Sequence, residues 1–264
     1  MQDFLLDDAA RAFRSEIHAF LERELAPLAP RIEEQQDWEA VKSVVRALGE
    51  AGYLKLMFAD LYRGSLPDPG LTHATLLSEE AAAVNYAFET TIATALSCAY
   101  PLHRYATPPV RERYLPGIVE GRAIGAIAVT EPNVGSDSAG METRITFDQA
   151  RNEWVIDGFK RYISNASKAD TYIVYGITDP AVPAQQGMSA LVVPDGTPGM
   201  SFPRTYTFMG RRGCVVGEVE FKGVRVPADH LLGEREGGFR IMLSMFNFER
   251  IILGGSGLGV ARSA

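Results

Sequence analysis

The sequence predicts an α+β protein. It has an amino-terminal all-α domain over residues 1–120, a small antiparallel β-barrel or sandwich domain over 121–236, and the start of a further helical domain over 237–264. Three observations predict this order. Apolar residues recur at helical spacing through the first 120 residues. From Gly121 the texture changes to short β-branched and aromatic runs punctuated by Gly, Pro, Asn and Asp. After Gly237-Gly238 the helical period returns.

The first predicted helix carries Phe13, Ile17, Phe20, Leu21 and Leu25 among Glu and Arg, and the next carries Val41, Val44, Val45 and Leu48 ahead of Gly49 and Gly52. Pro67-Asp68-Pro69-Gly70 is a break. Beyond it Leu71 to Ala99 is Ala-rich and nearly uncharged, which predicts one long buried helix that Pro101 ends. A shorter helix around Arg111 to Glu120 closes the helical region. Trp154-Val155-Ile156, Thr171 to Tyr175, Ala190 to Val193 and Val219-Glu220-Phe221 are the clearest strands. Phe239, Met242, Leu243 and Phe246 mark the last helix.

A chain of 264 residues with 46% hydrophobic content can bury a large core. Its net charge of -7, with no cluster of Lys and Arg interleaved with aromatics, argues against nucleic acid as a partner. No apolar run reaches membrane-spanning length, and Met1 to Asp8 is acidic where a secretory signal would be basic, so a cytoplasmic protein without membrane insertion is expected. Cys98 and Cys214 lie far apart, which favours reduced thiols in a core over a disulfide framework. The histidines His18, His73, His103 and His230 share no ligand-like spacing with them, and no metal is expected.

Two segments carry the chemistry. Ala128-Val129-Thr130-Glu131-Pro132-Asn133-Val134-Gly135-Ser136-Asp137-Ser138-Ala139-Gly140 supplies hydroxyls and a glycine that lets backbone approach a ligand, as an anionic pyrophosphate and a polar ring edge require. Taken alone, it reads more readily as a capped polar turn. Lys160-Arg161-Tyr162-Ile163-Ser164-Asn165-Ala166 follows it. With Met209-Gly210-Arg211-Arg212-Gly213, Val224-Arg225-Val226-Pro227 and Phe248-Glu249-Arg250-Ile251 in the same order, these segments resemble the acyl-CoA dehydrogenases along nearly the whole chain.

The resemblance implies FAD as cofactor. It implies that groups from Ile127 to Ser136 bind the flavin, with Ile127, Val129, Thr130 and Gly135 in the cradle, Thr130 near the pyrimidine edge and Ser136 near a pyrophosphate. Tyr162, in place of the more usual Trp, packs on the ring beside Ile163, and the Ser164 hydroxyl faces its hydride-accepting nitrogen. Val134 stands where the family has a small residue, so a slightly different turn is expected there. The acyl thioester substrate is expected near Ser136, Asn247 and Arg250. Glu249, in an apolar run from Met245 to Leu253, matches the catalytic carboxylate of some branched- and long-chain members, although in others the base lies in the later bundle. Desolvation would raise its pKa and suit it to remove a proton next to a thioester carbonyl. The opposing reading of Glu249 is an ion pair with Arg250 on a helix surface.

The implied activity is α,β-dehydrogenation of an acyl thioester of coenzyme A or acyl carrier protein. An electron-transfer flavoprotein or similar acceptor would reoxidise the flavin. The family's helical bundle is only begun here, so the fold expectation ends in the first helix of a truncated bundle, and a homo- or hetero-oligomer is expected to complete the FAD site. The alternatives are a flavin oxidase or monooxygenase on the same fold, and a non-catalytic or half-site subunit or fragment that needs a partner. Gly255-Ser256-Gly257-Leu258-Gly259 imitates a dinucleotide fingerprint, but Val260 occupies the third glycine's position and no βαβ unit follows, so close helix packing is expected there. Met209 to Gly213 is expected to be a structural turn.

Overall fold

A computed structural model describes residues 6–58, 60–61 and 70–264. Helix α1 (Asp8–Glu24) starts where the Asp7 carboxylate accepts the Ala10 N–H at 2.8 Å, and it buries Phe13, Ile17, Phe20 and Leu21. After the short α2 (Ala29–Gln35), α3 (Trp38–Glu50) is capped by Asp37 and buries Val41, Val44, Val45 and Leu48. Gly49 is required by contact: a Cβ there would lie 2.2 Å from the Glu120 backbone. The Pro67-Asp68-Pro69 break lies outside the described residues.

The single long helix expected from Leu71 to Ala99 is two. Helix α4 (Gly70–Val84) and helix α5 (Tyr86–Tyr105) meet at Asn85, whose extended backbone (φ -155°) stops one helix while its side chain accepts the Phe88 N–H at 2.8 Å and starts the next. Nor does Pro101 end α5, which continues to Tyr105 around it. A proline removes one backbone donor, and near a helix end few hydrogen bonds remain to be lost. Helix α6 (Pro108–Val119) opens on a proline at its first position, three residues before the expected start.

Strands β1 (Gly125–Ala128), β2 (Arg144–Asp148), β3 (Glu153–Ser164), β4 (Thr171–Ile177), β5 (Met188–Pro194), β6 (Met200–Ser201), β7 (Thr205–Tyr206) and β8 (Val216–Pro227) form one sheet. Each of the four expected strand cores lies inside a strand. Pairing is mainly antiparallel: β2 with β3, β3 with β8, β4 with β5, and both β6 and β7 with β8. The departures are at β4, which runs parallel to β1 on one side and, at Arg144 opposite Ile177, to β2 on the other. The β2–β3 excursion between β1 and β4 returns the chain in its original direction, as a parallel pair needs. Strand β4 is buried along its whole length, which explains its unbroken apolar run.

Helix α5 packs on β1 at Gly125, where a Cβ would lie 2.5 Å from the Cβ of Cys98. Burial pushes the Cys98 thiol up to about 12. After the short α7 (Ala184–Gly187), the chain ends in α8 (Gly238–Ser263). Two of the three glycines of the false fingerprint serve helix packing: a Cβ on Gly255 would lie 2.5 Å from the Thr75 carbonyl oxygen, and one on Gly259 would lie 2.1 Å from that of Glu79, while one on Gly257 would meet nothing within 4 Å. Helix α8 thus presses backbone to backbone on α4. Met209 to Gly213 forms a turn docked on α2, where the Glu33 carboxylate accepts the Arg212 N–H at 3.0 Å.

Candidate functional site

The two segments singled out in the sequence meet. The Arg161 N–H donates to the Thr130 carbonyl at 2.8 Å, so the chain leaving β1 lies against the end of β3. Ile127 and Thr130 are half-buried, and Val129 is buried. Glu131 and Val134 then exchange two backbone hydrogen bonds, of 3.0 and 3.2 Å, around Pro132-Asn133. This tight turn buries Val134 and leaves Gly135 and Ser136 exposed. A Cβ on Gly135 would meet nothing within 4 Å, so the backbone there is open to a ligand.

Tyr162 owes its position to a break in the strand. Trp154, Ile156 and Lys160 point inward with the two-residue period of β3, and on that period Tyr162 would be buried as well. The β3–β8 register shifts between Lys160 and Ile163, and Tyr162 takes a left-handed backbone (φ 56°). Ile163 is thereby turned inward, while the Tyr162 ring is 52% exposed. Tyr206 backs that ring at 4.8 Å between centroids, and the Arg161 guanidinium lies over it at 5.2 Å while bonding the Tyr206 hydroxyl at 2.9 Å. Tyr206 in turn donates to Glu218. Ser164 closes the strand opposite Val216, half-buried.

A buried ion pair, not foreseen in the sequence, ties the two walls together. Lys160 is fully buried, and its Nζ donates to Glu131 Oε1 at 2.8 Å and to the Val129 carbonyl at 3.1 Å. The Glu131 carboxylate also accepts the N–H groups of Glu142 and Thr143 at 2.6 and 3.0 Å. Burial pulls Lys160 down to about 8 against the attraction of Glu131. Glu131 is held below the usual carboxylate range: burial works against its charge, but Lys160 and its hydrogen-bond donors outweigh it. The inward period of β3 was the signal available for Lys160.

Glu249, Asn247 and Arg250 lie on α8. Glu249 Oε1 accepts the hydroxyl of the buried Ser97, on α5, at 3.2 Å. Burial pushes the Glu249 carboxyl above its ordinary range, with the Ser97 hydrogen bond and the Arg250 charge opposing. The surface ion pair considered for Glu249 is not what the side chains make. Arg250, exposed, instead donates to the Asn247 side-chain carbonyl at 2.7 Å and lies over the Phe246 ring. Deeper on α5, Glu89 is completely buried and receives hydrogen bonds from Ser78 and Ser256. Among the described residues, no group of three or more His, Cys, Asp and Glu could hold a metal ion, and no helix is long and apolar enough to cross a membrane.

Comparison with known proteins matches residues 7–122 to the profile "Acyl-CoA dehydrogenase, N-terminal domain" and residues 126–224 to "Acyl-CoA dehydrogenase, middle domain". A short-chain-specific acyl-CoA dehydrogenase of Megasphaera elsdenii is 32% identical over 99% of this chain and 68% of its own length. The chain belongs to the acyl-CoA dehydrogenase family. Isovaleryl-CoA dehydrogenase of Pongo abelii is also 32% identical, over 98% of the chain and 60% of its own length. The solved glutaryl-CoA dehydrogenase of Mycobacterium smegmatis in complex with FADH2 superposes with a TM-score of 0.84 at 26% identity, over 99% of this chain and 64% of that one. Against these relatives, the chain spans 60% to 68% of an acyl-CoA dehydrogenase.

Proposed function

We propose that this chain carries the flavin cradle and the general base of an enzyme that dehydrogenates acyl thioesters at the α,β position, with FAD as cofactor. The observation that carries the reading is Glu249. It is a carboxylate drawn out of water on α8, held by Ser97, with its pKa raised towards the range in which a base removes a weakly acidic carbon-bound proton. FAD held in the cradle would supply the acceptor for the hydride that leaves the β carbon. A flat ring system fits the exposed, backed face of Tyr162 beside Thr130 and the open backbone at Gly135. In this reading Ile127, Val129, Thr130, Gly135, Ser136, Tyr162, Ile163 and Ser164 line the cofactor, and Ser136, Asn247 and Arg250 hold the thioester.

The same proposal includes domain limits near residues 120 and 236, and an electron-transfer flavoprotein or similar acceptor. It includes association with further chain through α8, where Ile251, Leu253 and Leu258 are about half exposed. A cytoplasmic location is supported by two buried, unpaired cysteines.

The test is the visible spectrum of the purified chain with added FAD, before and after anaerobic addition of acyl thioesters. Bleaching is expected with the parent. Glu249→Gln is expected to keep the bound-flavin spectrum and lose about 10² to 10⁴ in single-turnover rate. Unchanged reduction in that variant would move the base elsewhere, and rapid reoxidation by oxygen would favour an oxidase.

A further inference from the structure

The buried ammonium of Lys160 meets the loop that follows β1 at two atoms. It donates to Glu131 Oε1 at 2.8 Å, which balances its charge, and to the Val129 carbonyl at 3.1 Å, which does not. The Val129 carbonyl and the Thr130 N–H belong to one trans peptide, so they point in opposite directions. With the carbonyl turned to the ammonium, the Thr130 N–H is turned away from it. The next peptide is engaged at both ends: the Thr130 carbonyl accepts the Arg161 N–H at 2.8 Å, and the Glu131 N–H donates to the Val134 carbonyl at 3.0 Å. Among the described residues the Thr130 N–H has no such partner in the protein, and Thr130 is half-buried. A charged donor at one end of a peptide polarises it, and hydrogen bonds in series strengthen one another. The N–H opposite an ammonium is therefore a stronger donor than an ordinary amide.

We propose that Lys160 is a positioning residue for the cofactor, which through the Val129–Thr130 peptide aims and strengthens the Thr130 N–H as a donor to negative charge on the bound ring. This rests on the reading of Thr130 as a wall of the flavin site. A hydride brings two electrons and one proton to the ring, which gains one negative charge unless a second proton follows. A donor strengthened from behind favours that charged form over the neutral oxidised one. Lys160 itself stays fully buried behind the loop. Glu131 serves the same end: burial draws the proton affinity of Lys160 down, and the carboxylate opposes the loss of its charge.

The experiment measures the midpoint potential of FAD bound to the parent and to the chain carrying both Lys160→Met and Glu131→Gln, together with the affinity of each for oxidised FAD. The midpoint against that of free FAD gives the ratio of affinities for reduced and oxidised cofactor, which a merely structural loss would leave unmoved. The double variant is expected to lower that ratio at least threefold, about 15 mV for a two-electron couple. A ratio equal to the parent's overturns the role of Lys160 and leaves the cradle reading standing. Failure of the parent to bind FAD overturns both. Should the double variant not fold, amide exchange in the isotope-labelled parent decides by NMR. The Thr130 N–H is expected to exchange more slowly with oxidised FAD bound than without it, and more slowly again with reduced FAD. Exchange that is no slower with reduced than with oxidised FAD overturns the proposal.

Discussion

At the scale of single residues, the cradle depends on a pair that contacts no ligand in this reading. Lys160 and Glu131 are buried together, and removing one partner strands the other's charge away from water. Lys160→Met is therefore expected to lower stability by about 3 to 5 kcal/mol in urea unfolding, and the combination with Glu131→Gln to recover more than half of that loss. Strictly additive losses would show that the two are not coupled. The candidates that the sequence offered here were those whose chemistry is local: Thr130, Gly135, Ser136, and a carboxylate in an apolar run at Glu249. Lys160 remained hidden because a lysine in a strand is ordinarily a solvated residue, and its partner lies 29 residues away. The outward turn of Tyr162 was equally hidden, since it arises from a register shift against β8 that no local pattern announces.

At the scale of elements, hydrophobic period located the longer helices, with α4 and α5 run together, and the four longest strands, while element ends followed from capping and packing. Asn85 illustrates the limit. In an Ala-rich stretch it looked like one polar residue in a buried helix, yet its side chain caps α5 and separates it from α4. The buried acids of α4 were likewise unread, because their partners come from both ends of the chain. Glu80 accepts from Arg14 on α1 at 2.9 Å and from Arg262 on α8 at 2.6 and 2.7 Å, with His18 at 3.0 Å and Glu79 beside it on the same arginines. Burial works to raise the Glu80 pKa, but the Arg262 and Arg14 hydrogen bonds bring it down to about 2 from 4.5. Since the folded value is the lower one, its stabilisation is complete above 4.5 and is lost as pH falls towards 2. Unfolding free energy should therefore fall more steeply between those values in the parent than in Glu80→Gln. Parallel slopes would remove Glu80 from the acid response.

At the scale of the whole molecule, Asn165 is a polar joint between the helical part and the sheet. Fully buried, with a left-handed backbone (φ 63°), it donates to the carbonyls of Thr91 on α5 and Gly125 on β1, both at 3.0 Å. Asn165→Ala removes the amide donor from both carbonyls, of which Thr91 keeps its helical hydrogen bond, and should cost about 1 to 3 kcal/mol, read as a lower midpoint in thermal unfolding. A cost below about 0.5 kcal/mol would mean that water replaces the amide. The order of helices, sheet and final helix was legible in the sequence because texture changes at Gly121 and Gly237. The parallel β1–β4 pair was not, because it depends on where a distant strand returns. The seam between the two parts has one more property. Cys98 sits beneath Gly125 with its thiol almost fully protonated at neutral pH, so a thiol reagent reaches it only while helix and sheet are apart. In a chain whose Cys214 is replaced by Ser, the alkylation rate of Cys98 is a clock for that separation, and cofactor binding would slow it in proportion to how firmly the two halves are closed.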